Sequence, residues 1–126
     1  MDAQERASTI LVVEDETLVR ALSVDELKDA GFDVVEAGSA AEALCVLSEG
    51  AAIAVLFTDV NMPGALDGLD LARLVHERWP DVRVIVTSGG GKVGLADLPD
   101  KGRFIAKPFS LVAMSALVRQ AADDHN

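Results

Sequence analysis

The stretch Val55-Leu56-Phe57-Thr58-Asp59-Val60-Asn61-Met62-Pro63-Gly64 decides the fold. A short apolar run that stops on a carboxylate and then breaks into Pro and Gly reads as a buried strand with Asp59 at its carboxyl end. Taken alone, an acid after a strand is more often a turn former or helix cap than a catalytic group. Its meaning therefore rests on what the rest of the chain brings to the same place.

Working outward, four more strand-like runs appear: Thr9 to Val13 (TILVV), Phe32 to Ala37 (FDVVEA), Arg83 to Thr87 (RVIVT) and Arg103 to Ala106 (RFIA). The first is apolar without alternation, the pattern of a strand covered on both faces. Helical spacing fills the gaps. Thr17 to Ala30 carries Leu18, Ala21, Leu22, Val24, Leu27 and Ala30 as its expected inner face, with Gly31 as the stop. Ser39 with Glu42 predicts a capping box for Ala40 to Ser48, whose inner face is Ala43, Leu44 and Leu47. Leu69 to Trp79 carries Leu71, Ala72, Leu74 and Val75 before Pro80 stops it. Lys92 to Leu98 has room for two helical turns at most, so the fourth helix is expected to be short or mobile. Ser110 caps the last helix, Leu111 to about Ala122, with Leu111, Met114, Leu117, Val118 and Ala121 inward. Strands alternating with helices specify an α/β fold: a doubly wound, five-stranded parallel sheet with about five helices.

The chain of 126 residues is the size of one domain, with its core at about 9–122 and no internal repeat. Half the residues are apolar, which argues against disorder. The longest apolar run, Ala51 to Phe57, is far shorter than the roughly 20 residues of a membrane helix. The polar start gives no secretory signal, so a soluble, cytoplasmic protein without membrane contact is expected. Cys45, the single cysteine, has no disulfide partner and reads as a small core residue. A net charge of −10 disfavours nucleic-acid binding and suits a cation or a basic protein partner.

In open doubly wound sheets, ligands bind outside the carboxyl ends of the strands. That edge collects Glu14 and Asp15 after the first strand, Asp59 after the third, Thr87 and Ser88 after the fourth and Lys107 after the fifth. Each has a bland reading singly, as a helix-dipole acid, a β-branched strand residue or a surface charge, but their joint placement does not. Crowded carboxylates repel one another, and a hard divalent cation relieves them. Mg²⁺ fits best, because it needs only one or two carboxylates plus a phosphoryl oxygen. Asp59 then reads as a carboxylate nucleophile for a phosphoryl group, with Lys107 and Thr87 stabilising the oxygens.

The four motifs Val12-Val13-Glu14-Asp15-Glu16, Thr58-Asp59-Val60-Asn61-Met62-Pro63-Gly64, Val84-Ile85-Val86-Thr87-Ser88-Gly89 and Phe104-Ile105-Ala106-Lys107-Pro108-Phe109 occur in this order. Together they resemble the receiver domain of two-component response regulators, over Thr9 to Gln120. The resemblance implies the flavodoxin-like strand order 2-1-3-4-5 and makes Asp59 the phosphoacceptor, charged by a histidine kinase or histidine phosphotransfer protein. It makes Asp15, Asp59 and the Asn61 carbonyl ligands of Mg²⁺, with Glu14 acting through water. It also implies a cis bond from Lys107 to Pro108 and a switch pair of Thr87 and Phe104 that alters a surface for a downstream protein. Such a protein acts as a monomer or weak dimer and catalyses only its own phosphorylation and dephosphorylation. Two departures stand out: a loop from Met62 to Gly68 that is one residue longer than the commonest receiver form, and the Gly-rich segment Ser88 to Gly102. With no output segment after the last helix, a stand-alone receiver is the favoured expectation.

Other signals carry less. Ser88-Gly89-Gly90-Gly91-Lys92-Val93 lacks the first Gly and the final Ser or Thr of a phosphate-binding loop, having Val86 and Val93 there. His76 and His125 have no metal-ligand companions, and Trp79 reads as a helix-end packing residue. The competing function is a haloacid-dehalogenase-like phosphatase, which also uses an aspartyl phosphate. Its nucleophile ends the first strand and is followed two residues later by an acidic Asp; here Asp59 ends the third and is followed by Asn61.

Overall fold

The computed structural model describes residues 8–89 and 95–124. Five parallel strands, β1 (Thr9–Val13), β2 (Asp33–Ala37), β3 (Val55–Asp59), β4 (Arg83–Ser88) and β5 (Arg103–Ala106), lie in the order β2-β1-β3-β4-β5. Three α-helices cross between successive strands, α1 (Thr17–Asp29), α2 (Ala40–Ser48) and α3 (Gly68–Arg78), and a further helix, α4 (Leu111–Asp123), follows β5. In place of the expected fourth of five helices, the described part of the β4–β5 crossover holds a single 3-10 turn, Leu95–Asp97. The rest of that expectation falls on residues 90–94, outside the described residues. So do Gly91 and Lys92 of the phosphate-loop-like run, and His125.

The apolar character of the central strands follows from coverage on both sides. Alternate residues of β1, β3 and β4 point to opposite faces. Leu11, Val13, Leu56, Val84 and Val86 meet Ala43 and Leu47 of α2 and Leu71, Ala72 and Val75 of α3. Ile10, Val12, Val55, Phe57 and Ile85 meet Val24 and Leu27 of α1 and Met114, Val118 and Ala121 of α4. β3 is buried at all five positions, whereas the edge strands β2 and β5 are only partly covered. Trp79 packs against the α2–α3 layer, as a helix-end residue should.

Three local expectations are corrected. On α1 the buried residues are Ser23, Val24 and Leu27, while Leu18 and Leu22 are 71% and 48% exposed and Ala21 is exposed. Apolar residues wrap too far around this helix for one stripe, and periodicity cannot say which part docks. Cys45 is exposed rather than buried, because Ala43 and Leu47 take the inward face of α2. The Ser39 hydroxyl does cap the Glu42 N–H at 3.2 Å, but the Glu42 carboxylate accepts from Gly38 at 2.6 Å instead of returning to Ser39.

The reciprocal capping box sits elsewhere. Asp67 accepts from the Asp70 N–H at 2.9 Å and Asp70 accepts from the Asp67 N–H at 3.1 Å, which starts α3 at Gly68. That start is pressed onto β3. The Gly68 N–H donates to the Val60 carbonyl at 2.9 Å, and a Cβ at Gly68 would lie 1.9 Å from the carbonyl oxygen of Asp59. No side chain fits without a backbone shift at the third strand's end. Gly68→Ala is expected to cost about 1–3 kcal/mol, as overpacking does, measured by urea denaturation. The amide resonances of Asp59 and Val60 should move; a variant with unchanged stability and spectrum would contradict the close approach.

Candidate functional site at the carboxyl edge of the sheet

The parallel register carries β1, β3 and β4 to a common edge, with Val13 beside Thr58 and Asp59 beside Thr87. Asp59, the last residue of β3, is 5% exposed, as is Glu14, the first residue past β1. Asp15, one residue on, is exposed. One oxygen from each of Glu14, Asp15 and Asp59 lies within 4.8 Å of the others, which among the described residues is the group able to hold a metal ion. Three carboxylates without nitrogen or sulfur donors suit a hard divalent cation.

Lys107, just past β5 and joined to Pro108 by a cis peptide bond, reaches back across the edge. Its ammonium donates to Glu14 Oε1 at 2.9 Å and to Asp59 Oδ2 at 3.2 Å. Burial pushes the Glu14 carboxyl above its ordinary value, against the opposing pull of Lys107 and of the Glu16 N–H, and the neighbouring Asp59 charge adds to the rise. Burial pulls Lys107 the other way, but its hydrogen bonds to both carboxylates outweigh that effect and raise it overall. Lys107 is thus held firmly as a cation.

The other predicted residues sort themselves around this pair of contacts. The Asn61 side chain belongs to an exposed position, and its backbone N–H donates to Asp59 Oδ1 at 3.4 Å. Thr87 is 2% exposed, and its buried hydroxyl has no hydrogen-bond partner among the described residues. The backbone past Asp59 stays tied to β4, because the Val60 N–H donates to the Thr87 carbonyl at 2.9 Å. Phe104 pairs with Val86 rather than with Thr87 and lies half-buried against the α2–α3 layer. It shares the strand neighbourhood of Thr87 without lining the acidic cluster.

Two residues at the edge escaped the sequence reading. Gly68 closes against the Asp59 backbone, and the Asp-Gly pair opening a helix was the signal for it. Arg20, on α1, donates through Nη1 to the Glu14 carbonyl at 2.7 Å. Its only sequence signal is a cation just over one helical turn past a run of acids.

Comparison with known proteins agrees with this arrangement. Residues 10–119 match the model of the response regulator receiver domain. The chain is 36% identical over 118 residues to the sensor kinase CckA of Brucella abortus, covering 90% of this chain but 12% of that protein. It is 34% identical over 105 residues to the response regulator receiver protein CpdR of the same organism, covering 81% of this chain and 86% of CpdR. The crystal structure of a response regulator receiver protein from Sinorhizobium medicae superposes with a TM-score of 0.88 at 30% identity, covering 96% of this chain and 98% of that one. A buried acid at the end of β3, an acid pair after β1 and a lysine after β5, in a sheet of order 2-1-3-4-5, therefore place this chain in the response regulator receiver domain family.

Proposed function

We propose that this receiver is a phosphoacceptor: Asp59 takes a phosphoryl group from a phosphohistidine of a histidine kinase or histidine phosphotransfer protein. The observation that carries the reading is the Thr87 hydroxyl, buried beside Asp59 on the neighbouring strand and without a partner among the described residues. An orphaned buried hydroxyl costs about 1–3 kcal/mol, and a phosphoryl oxygen on Asp59 would recover it. In the transfer, an Asp59 carboxylate oxygen forms a bond to phosphorus as the P–N bond of the phosphohistidine breaks. The imidazole leaves with the electron pair and regains a proton from solvent. Lys107 neutralises the charge gathered on the phosphoryl oxygens. Asp15 and Asp59, with the Asn61 carbonyl, would hold Mg²⁺, and Glu14 would contribute through water. Bound there, Mg²⁺ supplies Lewis-acid stabilisation of the phosphoryl oxygens.

No acidic residue stands two positions after Asp59 to activate water, which favours a stored phosphoryl group over the turnover of a haloacid-dehalogenase-like phosphatase. The protein then catalyses only its own phosphorylation and dephosphorylation, in the cytoplasm, as a monomer or weak dimer. Thr87 turns toward the phosphoryl group, Phe104 follows inward, and the β4–β5 crossover changes for a downstream protein. That crossover is anchored by Arg73, whose guanidinium donates to the Asp97 carbonyl at 3.2 Å.

The donor has a surface to dock on. Among the described residues the exposed large hydrophobics are Leu18, Leu22 and Val112. Leu22 and Lys107 line one open cavity of about 550 Å³ with Val19, Pro108, Phe109 and Leu111. A protein seated there would lie against Lys107, whose ammonium donates to Asp59 Oδ2 at 3.2 Å.

Acetyl phosphate with Mg²⁺ should leave one acid-stable, base-labile phosphoryl group on the parent protein and none on Asp59→Asn. Sustained release of phosphate from many esters would overturn the proposal. For the docking face, Leu22→Asp should slow transfer from the fastest kinase found in a screen by about tenfold, equivalent to about 1.4 kcal/mol. Labelling by acetyl phosphate should be unaffected, and equal loss with both donors would mean damage to the site itself. The raised Glu14 carboxyl gives a test of the acid cluster without metal. A carboxyl whose folded pKa lies above its ordinary 4.5 favours folding below that pH, and the contribution disappears as pH rises through the folded value. In metal-free buffer, the urea midpoint of Glu14→Gln should match the parent below pH 4.5 and exceed it increasingly toward neutrality. A gap that stays constant with pH would refute the assignment.

A further inference from the structure

We infer that Arg20 is the positioning residue of the acidic loop: its guanidinium holds the peptide between Glu14 and Asp15 so that the Asp15 carboxylate stays beside Asp59. The consequence for metal binding rests on the phosphoacceptor reading; the effect on the loop itself does not.

Glu14, Asp15 and Glu16 are consecutive acids between β1 and α1. Mutual repulsion favours splaying them, so something must fix the backbone that carries them. The start of α1 does not. Its N-cap residue, Glu16, makes no side-chain cap, and its first turn contains no acid. Instead the loop is pinned at Glu14. The Glu14 N–H donates to the Ala37 carbonyl at 3.1 Å, and the Glu14 carbonyl accepts from Arg20 Nη1 at 2.7 Å. The carboxylate of Glu14 turns inward to Lys107 and also accepts the Glu16 N–H at 3.2 Å.

The guanidinium is itself held from a second side. Arg20 Nε donates to Glu36 Oε1 on β2 at 3.1 Å. Its space is left by Gly38, where a Cβ would lie 3.2 Å from Nη1, closer than ordinary contact. The planar fork can therefore join α1, the end of β1 and β2 at once. A lysine ammonium, a compact point charge on a flexible stem, cannot match that pair of directional bonds. Outer partners that orient a metal ligand commonly matter by about 10- to 100-fold in metal affinity.

Charge and geometry make opposite demands here, which lets one experiment separate them. Removing a cation near an acidic cluster strengthens its attraction for Mg²⁺. Losing the restraint on the Asp15 peptide weakens it. Arg20→Met and Arg20→Lys are to be compared with the parent chain in two measurements: amide exchange at Glu16 in metal-free buffer, and Mg²⁺ titration followed by the Val60 and Asn61 amide resonances. Exchange at Glu16, whose N–H is held by the Glu14 carboxylate, should rise about tenfold in Arg20→Met and the Mg²⁺ Kd should rise about tenfold. Arg20→Lys, which keeps the charge and guards against a variant that fails to fold, should fall between the two. Unchanged exchange with equal or tighter Mg²⁺ binding in a folded variant would overturn the inference. Should the parent bind no Mg²⁺, the phosphoacceptor reading fails, and the exchange comparison alone decides the role of Arg20.

Discussion

Two carboxylates buried at neighbouring strand ends, Glu14 and Asp59, repel each other, and the ammonium of Lys107 allows both to remain at one edge. This contact joins the ends of β1, β3 and β5, which are separated by most of the chain. Lys107 keeps its proton because two carboxylates share it, although burial works against the charge. Glu14 bears the opposite strain, its burial outweighing the help from Lys107. The edge therefore holds crowded carboxylates of the kind that a hard divalent cation relieves.

Around this charged centre the backbone is held by short-range packing. Gly68 brings α3 against the carbonyl of Asp59, and the Asp67–Asp70 box fixes where that helix begins. The Val60 and Lys107 N–H groups continue the ladder past the strand ends, to the Thr87 and Ser88 carbonyls respectively. Arg20 plays the corresponding part on the β1 side. Such outer contacts involve no reacting atom, yet they set the distances on which the inner residues depend.

The crossover between β4 and β5 is built more sparely. The described part of the β4–β5 crossover offers one 3-10 turn, held to α3 through Arg73, where the sequence led us to expect a short helix. Phe104 is half-buried on β5, next to Val86, and packs against the α2–α3 layer.

The strand and helix order, the parallel sheet and the convergence of Glu14, Asp15, Asp59, Thr87 and Lys107 were legible in the sequence. Runs such as TILVV and VLFTD report double-sided burial directly, and their end residues must share an edge once the strands are parallel. Legibility failed where several placements satisfy the same local pattern. Leu18, Ala21 and Leu22 have helical spacing yet face outward, and Cys45 is small and apolar yet exposed, because inward and outward are defined only by the neighbour a helix meets. The 3-10 turn, the Gly68 approach to Asp59 and the grip of Arg20 on Glu14 likewise join residues whose partners the chain order does not name. By itself the sequence determined which chemistry reaches the edge, since periodicity and residue type are local; only the tertiary structure decided how that chemistry is held, since packing and directional hydrogen bonds act across distant segments.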